Sequence, residues 1–371
     1  MPDFPDATAV TPLAELTTMR VGGAARVLIA PATRDELIAA TLDVWGSGEE
    51  WFALGGGSNL VVADDGFDGS VIRVVTRGIE QLSDDGSRVV LRVQAGEPWD
   101  ALVEYTVDNG LAGIEALSGI PGSTGAAPVQ NIGAYGQEIS SSLVAVEFLD
   151  YLSGDLLRLT AADLRFGYRT SALKEGQRGL VVSVDLELER TAEGSPVGYA
   201  QLASTLGVEL GDRVATRAVR DTVLALRASK GMVLDPADPD SVSCGSFFTN
   251  PIVGENFART LPEQAPRWAN APEPAPVAVP LGEEPAAPPE QTDFRVKLSA
   301  AWLIEKAGIH RGFSLPGSRA AISSKHTLAI VNTGGATAAD VTELARYVQT
   351  RVFSQFGVRM VAEPVLVGVW L

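Results

Sequence analysis

The chain has 371 residues, 46% of them apolar and 20% charged, enough for two or three domains with a full core. Its net charge of −17 excludes broad association with nucleic acid or an anionic membrane, so an anionic ligand would have to be met by local donors. A single cysteine, Cys244, leaves no internal disulfide, and with only two histidines, His310 and His326, no His/Cys metal site is expected.

The opening Met1-Pro2-Asp3-Phe4-Pro5-Asp6 is acidic and lacks the basic-then-apolar pattern of an export signal. No apolar run approaches membrane-spanning length, and a cytoplasmic protein is expected. Thr18-Met19-Arg20-Val21-Gly22-Gly23 leads into a strand over Ala25–Ala30. Thr33-x-x-Glu36 is a capping box that opens a helix with Leu37, Ile38 and Leu42 inward. Trp51–Leu54 reads as a strand running straight into Gly55-Gly56-Gly57-Ser58-Asn59-Leu60. Strands follow at Val71–Val75 and Val89–Val93, and Pro98 opens a helix that ends at Gly110. Val144–Asp150 and Leu156–Thr160 flank Ser153-Gly154-Asp155 as a hairpin, and Leu180–Leu188 is a strand with period-two alternation. A second unit begins near Ser195. It has helices over Arg213–Ser229 (Val214, Ala218, Val219, Val223 and Leu226 on one face) and Ser299–Ala307. A strand over Leu328–Asn332, a long helix from Thr337-x-x-Asp340 to Gly357 and a last strand over Pro364–Val369 complete it. Nine of the 22 prolines lie between Pro262 and Pro289, so Leu261–Gln291 reads as an extended insertion without a core of its own.

Chemistry concentrates first in Leu117–Ile139, which holds five glycines, two prolines and almost no charge. A solvated loop of this length would carry more charge; glycine N–H groups, with no Cβ beside them, suit the cradling of an anionic ligand. Gly55–Asn59 is its counterpart. Neither stretch is followed by Lys-Ser/Thr, which rules out a P-loop, and Gly119-x-x-Gly122-x-x-Gly125 is not the G-x-G-x-x-G dinucleotide spacing. Two loops that offer backbone N–H groups to a pyrophosphate remain, with Ser58, Asn59, Ser123, Gln130 and Asn131 as neutral hydrogen-bonding side chains.

Three further stretches carry reactive groups. In Phe166-Gly167-Tyr168-Arg169-Thr170-Ser171-x-x-Lys174 the arginine is either a carboxylate or phosphate clamp or a solvated loop residue. In Ser243-Cys244-Gly245-Ser246-Phe247-Phe248-Thr249-Asn250-Pro251 no histidine is near, so Ser246 suits a proton donor rather than a triad nucleophile, and Cys244 reads as a packed thiol. Glu363, in Ala362-Glu363-Pro364, would alone pass for a surface carboxylate.

Taken together and in order, T-x-R-V-G-G, G-G-G-S-N, G-I-P-G-x-x-G-x-x-x-x-Q-N-I-G-A-Y-G, F-x-Y-R-x-S, G-S-F-F-x-N-P and A-E-P resemble the UDP-N-acetylenolpyruvoylglucosamine reductase (UDP-N-acetylmuramate dehydrogenase) family. The likeness runs from Thr18 to Val367, apart from the Pro/Ala-rich insertion, and Tyr199 with its surroundings is similar to the type I subgroup. It implies an α+β protein: a two-subdomain FAD-binding domain of the PCMH/vanillyl-alcohol-oxidase type over residues 15–190, and a C-terminal α+β substrate-binding domain over 195–371 that carries the insertion 261–291. FAD would be held non-covalently by Gly55, Gly56, Gly57, Ser58, Asn59 and Leu60. The second loop would add Gly119, Ile120, Pro121, Gly122, Ser123, Gly125, Gln130, Asn131, Gly133, Ala134 and Tyr135. Tyr199, Lys230 and Asn250 match the family's substrate contacts, Lys230 toward a diphosphate oxygen.

The implied reaction is NADPH-driven reduction of UDP-N-acetylglucosamine enolpyruvate to UDP-N-acetylmuramate, a cytoplasmic step of peptidoglycan precursor synthesis. Flavin N5 would deliver hydride to C3. Arg169 with Glu363 would stabilise the developing charge, and Ser246 would protonate C2. The expected partners are the UDP-sugar and NADPH, with no nucleic acid, no membrane and a monomeric state. The alternatives are a PCMH-type flavin oxidoreductase with another substrate, and a UDP-sugar-binding protein without redox chemistry. The first accounts for the glycine loops but not for G-S-F-F-T-N-P with Arg169 and Glu363.

Overall fold

In the computed structural model, residues 11–269 and 294–371 are described. A βαβ unit comes first: β1 (Ala25–Ile29), α1 (Arg34–Gly46) and β2 (Trp51–Leu54), then the short β3 (Leu60–Val62) and β4 (Phe67–Arg73). β4 lies between β1 and β2 and runs parallel to both. The capping box of α1 forms: Glu36 N donates to Thr33 Oγ1, and the Glu36 carboxylate accepts from Thr33 N. Leu37 is buried as expected, but Leu42 is 38% exposed. Five residues beyond Leu37 it falls off the helical stripe, which Ala40, Thr41 and Val44 complete instead.

An antiparallel sheet follows. β5 (Ile79–Asp84) and β6 (Arg88–Gln94) precede α2 (Trp99–Asp108) and the two-residue β7 (Leu111–Ala112). Within the glycine-rich stretch, β8 (Gly133–Ala134) pairs with β9 (Gln137–Glu138). β10 (Leu143–Asp150), β11 (Leu156–Thr160) and β12 (Gly179–Arg190) then complete a sheet of order β11-β10-β12-β6-β5. The β10–β11 hairpin turns at Gly154, whose φ is +73°.

β12 departs from the expected alternation: every residue from Leu180 to Leu186 is buried. One face (Leu180, Val182, Val184, Leu186) joins the core with Trp99 and Leu102 of α2. The opposite face carries polar side chains that are buried because ion pairs roof them. Arg92 holds Asp185 through Nε at 2.8 Å and Nη2 at 3.0 Å, and Arg158 adds a third bond at 2.9 Å. Ser183 donates to Glu147, which Arg34 of α1 also grips at 3.1 Å.

The rest of the chain forms two further groups. α3 (Ala200–Leu206) and α4 (Thr216–Ala228) pack on the turn Glu115–Leu117 around Ala116, Leu202, Val219 and Val223. Next come β13 (Ile252–Gly254), α5 (Glu255–Ala258), β14 (Arg267–Ala269), β15 (Arg295–Leu298), α6 (Ala300–Lys306), β16 (Ala320–Ile322), β17 (Ile330–Asn332), α7 (Ala338–Phe356) and β18 (Val365–Val367). α6 and α7 share a second large core with β16 and β17.

Of the insertion expected at Leu261–Gln291, residues 270–291 lie outside the described residues. Its described beginning is not coreless. Leu261 is buried in the second core and β14 pairs with β15, because Arg267 gathers the turn by donating to the carbonyls of Ala258 at 2.9 Å and Pro262 at 2.7 Å.

Both ends of the chain cross between the units. β18 pairs in parallel with β3, Val365 opposite Leu60. Met19, Val21 and Val61 join the second core, and Asn332 Nδ2 donates to the carbonyls of Met19 and Arg20. These crossings aim the Glu363 segment at the Gly55–Asn59 loop.

Candidate active site

The two glycine loops meet back to back. A Cβ on Gly56 would lie 2.6 Å from Gly122 Cα, one on Gly55 2.3 Å from Ser123 Oγ, and one on Gly122 2.7 Å from Ser58 Oγ. At Gly56 the obstacle is backbone, so only hydrogen fits; at Gly55 and Gly122 it is a serine hydroxyl, and Gly122 also sits at φ +128°. The second loop is fixed from behind: Gly119 N donates to Asp100 at 2.6 Å, and Arg220 of α4 holds the same carboxylate through two bonds. Between the loops runs a cavity of about 320 Å³ lined by Gly55, Gly56, Gly119, Pro121, Gly122 and Ser123, with Arg73 and Arg77 at its side. At Ile120 and Pro121 it meets a larger cavity of about 690 Å³. The two make a long cleft with N–H-rich walls at one end, a shape and chemistry that fit an extended dinucleotide.

The larger cavity gathers residues far apart in sequence. Ser58, Asn59, Gln130, Gly133, Ala134, Tyr135, Arg169, Tyr199, Lys230, Ser246, Asn250 and Glu363 all line it. Arg169 sits at φ +54°, a left-handed conformation that a residue of its size seldom adopts. Its guanidinium donates to Asn131 O at 3.3 Å and Gly133 O at 2.6 Å, and Nε lies 3.5 Å from the Glu363 carboxylate. Glu363 reaches this point because Phe248 bridges Ala362 and Glu363 N donates to Phe247 O, while Asn59 Nδ2 donates to Glu363 O. Gln130 Nε2 donates to its carboxylate at 3.3 Å. Burial pushes the Glu363 carboxyl above its usual range, against the opposing pull of Arg169 and Lys174.

Ser246 stands on the same segment, after Gly245 at φ +72° and before the fully buried Phe247. Among the described residues its hydroxyl has no hydrogen-bond partner, which leaves it able to donate to a ligand. Cys244 beside it is different: Sγ contacts Leu60 O at 3.3 Å, and burial pushes the thiol up to about 12. On the opposite wall, Tyr135 and Tyr199 meet edge to face with centroids 5.6 Å apart. Lys230 Nζ lies 5.6 Å from the Tyr135 ring and 3.0 Å from Gln201 Oε1. Burial and the Arg227 charge lower the Lys230 ammonium.

Some expected cofactor contacts stand behind these walls. Gly57 packs on the N-terminal segment, where a Cβ would meet Leu16 O at 2.0 Å. Leu60 is buried in β3. Gly125 opens on a smaller apolar cavity of about 180 Å³. Asn131, at φ +47°, spends its side chain on Glu138 and Gly167 O and so shapes the loop from inside.

Among the wall residues that escaped the sequence reading as site components, Tyr168, Arg227, Lys297 and His326 carry polar or charged groups. Lys297 Nζ lies 4.7 Å over the Tyr168 ring. Burial, with Lys230 and Arg311 nearby, lowers His326 to about 4. Arg227 had a usable signal. It stands seven residues after Arg220 on the inward stripe of α4, where two arginines among valines call for buried partners.

A family model described as UDP-N-acetylenolpyruvoylglucosamine reductase, C-terminal domain, matches residues 236–367, and one described as FAD binding domain matches residues 25–160. A UDP-N-acetylenolpyruvoylglucosamine reductase of Leifsonia xyli subsp. xyli is 62% identical over 372 residues, spanning 97% of this chain and 98% of that protein. One from Thermobifida fusca is 49% identical over 361 residues, spanning 97% and 98%. Among solved structures, that of UDP-N-acetylenolpyruvylglucosamine reductase from Thermus caldophilus superposes with a TM-score of 0.61 at 28% identity. The match covers 96% of this chain and 97% of that one.

Proposed function

The chain belongs to the UDP-N-acetylenolpyruvoylglucosamine reductase family, and from that premise we propose how its own residues reduce the enolpyruvyl group in an FAD-dependent, NADPH-driven reaction of peptidoglycan precursor synthesis. One observation carries the reading: Arg169, Glu363 and Ser246 converge on one cavity that adjoins the cleft between the glycine loops. FAD, held by the two glycine loops, would supply the hydride chemistry, accepting a hydride from NADPH and offering one to C3 of the enolpyruvyl double bond.

The residues handle what that transfer leaves behind. As C3 gains a hydride, the π-electron pair moves toward C2 and the carboxylate. Arg169, immobilised by two carbonyls and Glu363, presents positive charge where this enolate develops, without reorganising at that moment. Ser246 gives its hydroxyl proton to C2 and recovers it from solvent. A serine is a weak acid, so it serves only because C2 is strongly basic at that instant and the donor is near. Glu363 holds Arg169 in place. Lys230 meets a diphosphate oxygen, with Tyr199 and Asn250 beside it.

The flavin is held without a covalent bond, a reading supported by the thiol of Cys244 being buried, engaged with Leu60 O and pushed far toward its protonated form. We further propose a cytoplasmic monomer without nucleic-acid or membrane partners. The net charge of −17 supports this, as does the lack, among the described residues, of a helix long and apolar enough to cross a membrane.

The deciding experiment uses purified protein loaded with FAD. NADPH bleaches the flavin absorbance, and adding UDP-N-acetylglucosamine enolpyruvate without oxygen restores it. If the colour stays bleached, the substrate assignment is wrong.

A further inference from the structure

Arg227 is only 9% exposed, yet it lies in the cavity wall with no carboxylate within ion-pairing distance among the described residues. Among the described residues its one side-chain hydrogen bond runs from Nη2 to Met232 O at 2.8 Å, and Nε is buried without a partner. Asp100, the acid whose charge acts on it, is engaged by Arg220 and Gly119 N. A guanidinium offers five donors, and burying one so incompletely satisfied is costly unless a ligand completes it. Its neighbour Lys230 is also cationic and feels its charge, and the same charge helps keep His326 neutral. The position is therefore built for an anion.

Its place says which one. A Cβ on Gly119 would lie 3.5 Å from Arg227 Cδ, and the neutral Tyr135 phenol stands close to the guanidinium. Gly119 and Tyr135 bracket the loop that holds the cofactor in the proposed function, on which this inference rests. When FAD takes a hydride at N5 and NADP⁺ departs, the added electron pair delocalises to the N1–C2=O edge, which becomes an oxyanion. We infer that Arg227 is the buried cation that stabilises this reduced-flavin anion. Lys230 remains the contact for the substrate diphosphate.

Two variants, Arg227→Met and Arg227→Lys, are tested in the full-length FAD-loaded protein. The measurements are the flavin midpoint potential by dye equilibration and the dissociation constant for sulfite, which adds at N5 and places the same charge on N1–C2=O. Arg227→Met is expected to weaken sulfite binding at least tenfold and to lower the potential by about 30 mV for each tenfold in this two-electron couple. Arg227→Lys should recover part of both. If both stay at wild-type values while KM for the UDP-sugar rises, the cation belongs to the diphosphate and the inference is overturned. Loss of thermal stability alone, with potential and sulfite affinity unchanged, would reduce Arg227 to an anchor for the Met232 turn. The wild type gives a reading that needs no variant: reduced anaerobically at pH 7, it should show the spectrum of the anionic reduced flavin, and a neutral spectrum overturns the inference. A chain that takes up no FAD overturns the proposed function and this inference together. Normal uptake with unmoved potentials overturns only this one.

Discussion

Gly56→Ala tests the loop-to-loop contact directly. The added methyl would begin 2.6 Å from Gly122 Cα and 2.8 Å from Gly122 C, both backbone atoms that cannot rotate away. Ordinary contact starts near 3.4 Å, so the loops must part by roughly 0.8 Å. A backbone N–H bond of ~2.9 Å to a phosphate oxygen would stretch to ~3.7 Å, beyond useful hydrogen bonding. Each such bond to a charged group contributes about 1.5–3 kcal/mol, so losing one weakens FAD binding by roughly 10- to 100-fold. The clash itself costs about 1–3 kcal/mol of stability in the apoprotein. FAD affinity is read from quenching of flavin fluorescence, and stability from thermal melts with and without FAD. Gly46→Ala is the control: it ends α1 with nothing within 4 Å of the new methyl and should leave both quantities at wild type or slightly better. If Gly56→Ala binds FAD as the wild type does, the loops do not jointly hold the pyrophosphate and the cradle argument fails.

Ser246→Ala should separate the half-reactions. Flavin reduction by NADPH stays near wild type in stopped flow, while enolpyruvyl reduction slows by roughly 10²–10⁴-fold; equal slowing of both would assign Ser246 a binding or structural role. His326→Gln tests the lowered imidazole. A folded pKa of about 4 against 6.5 unfolded means the neutral ring contributes stability above pH 6.5 that is lost as pH falls through 4. The loss is at most about 3 kcal/mol, so the variant should tolerate acid better than the wild type in urea titrations, while the two converge at neutral pH. A difference independent of pH would contradict this. Cys244, buried with its thiol pushed up to about 12, should resist thiol reagents until the protein unfolds, and rapid labelling of the native protein would show that segment to be open.

Much of the fold was legible because its signals are local. The capping boxes of α1 and α7, the turn at Gly154 and the helix after Pro98 each rest on a few adjacent residues, and all appear. The errors came where partners are distant in sequence. Nothing near β12 says that Ser183 and Asp185 lie under Arg34, Arg92 and Arg158, so alternation with one exposed face was the natural reading. Leu42 failed more simply: apolarity was read without its angle on the helix. In the site, the glycine loops were visible from composition, but their contact was not, because 64 residues separate Gly55 from Gly119. Glu363 read alone is a surface carboxylate. Only the parallel pairing of β18 with β3 makes it a neighbour of Asn59, and that register spans most of the chain.

Around its cavity the chain gives up stability for chemistry. Among the described residues five non-glycine residues have positive φ, and three of them, Asn131, Tyr135 and Arg169, belong to the cavity wall or its support. Strain of this kind costs on the order of 1–3 kcal/mol per residue and persists only where the surroundings over-determine it. Glu363 is a carboxylate that burial destabilises more than its cations restore, and Arg227 is a cation without a counter-ion among the described residues. A sequence selected for folding alone would replace such groups with well-packed apolar residues at little cost or a gain. Their concentration around one cavity, while the surrounding cores are filled with Leu, Val and Ile, is what a site that stabilises transient negative charge requires: positive charge and donors fixed in place before that charge appears.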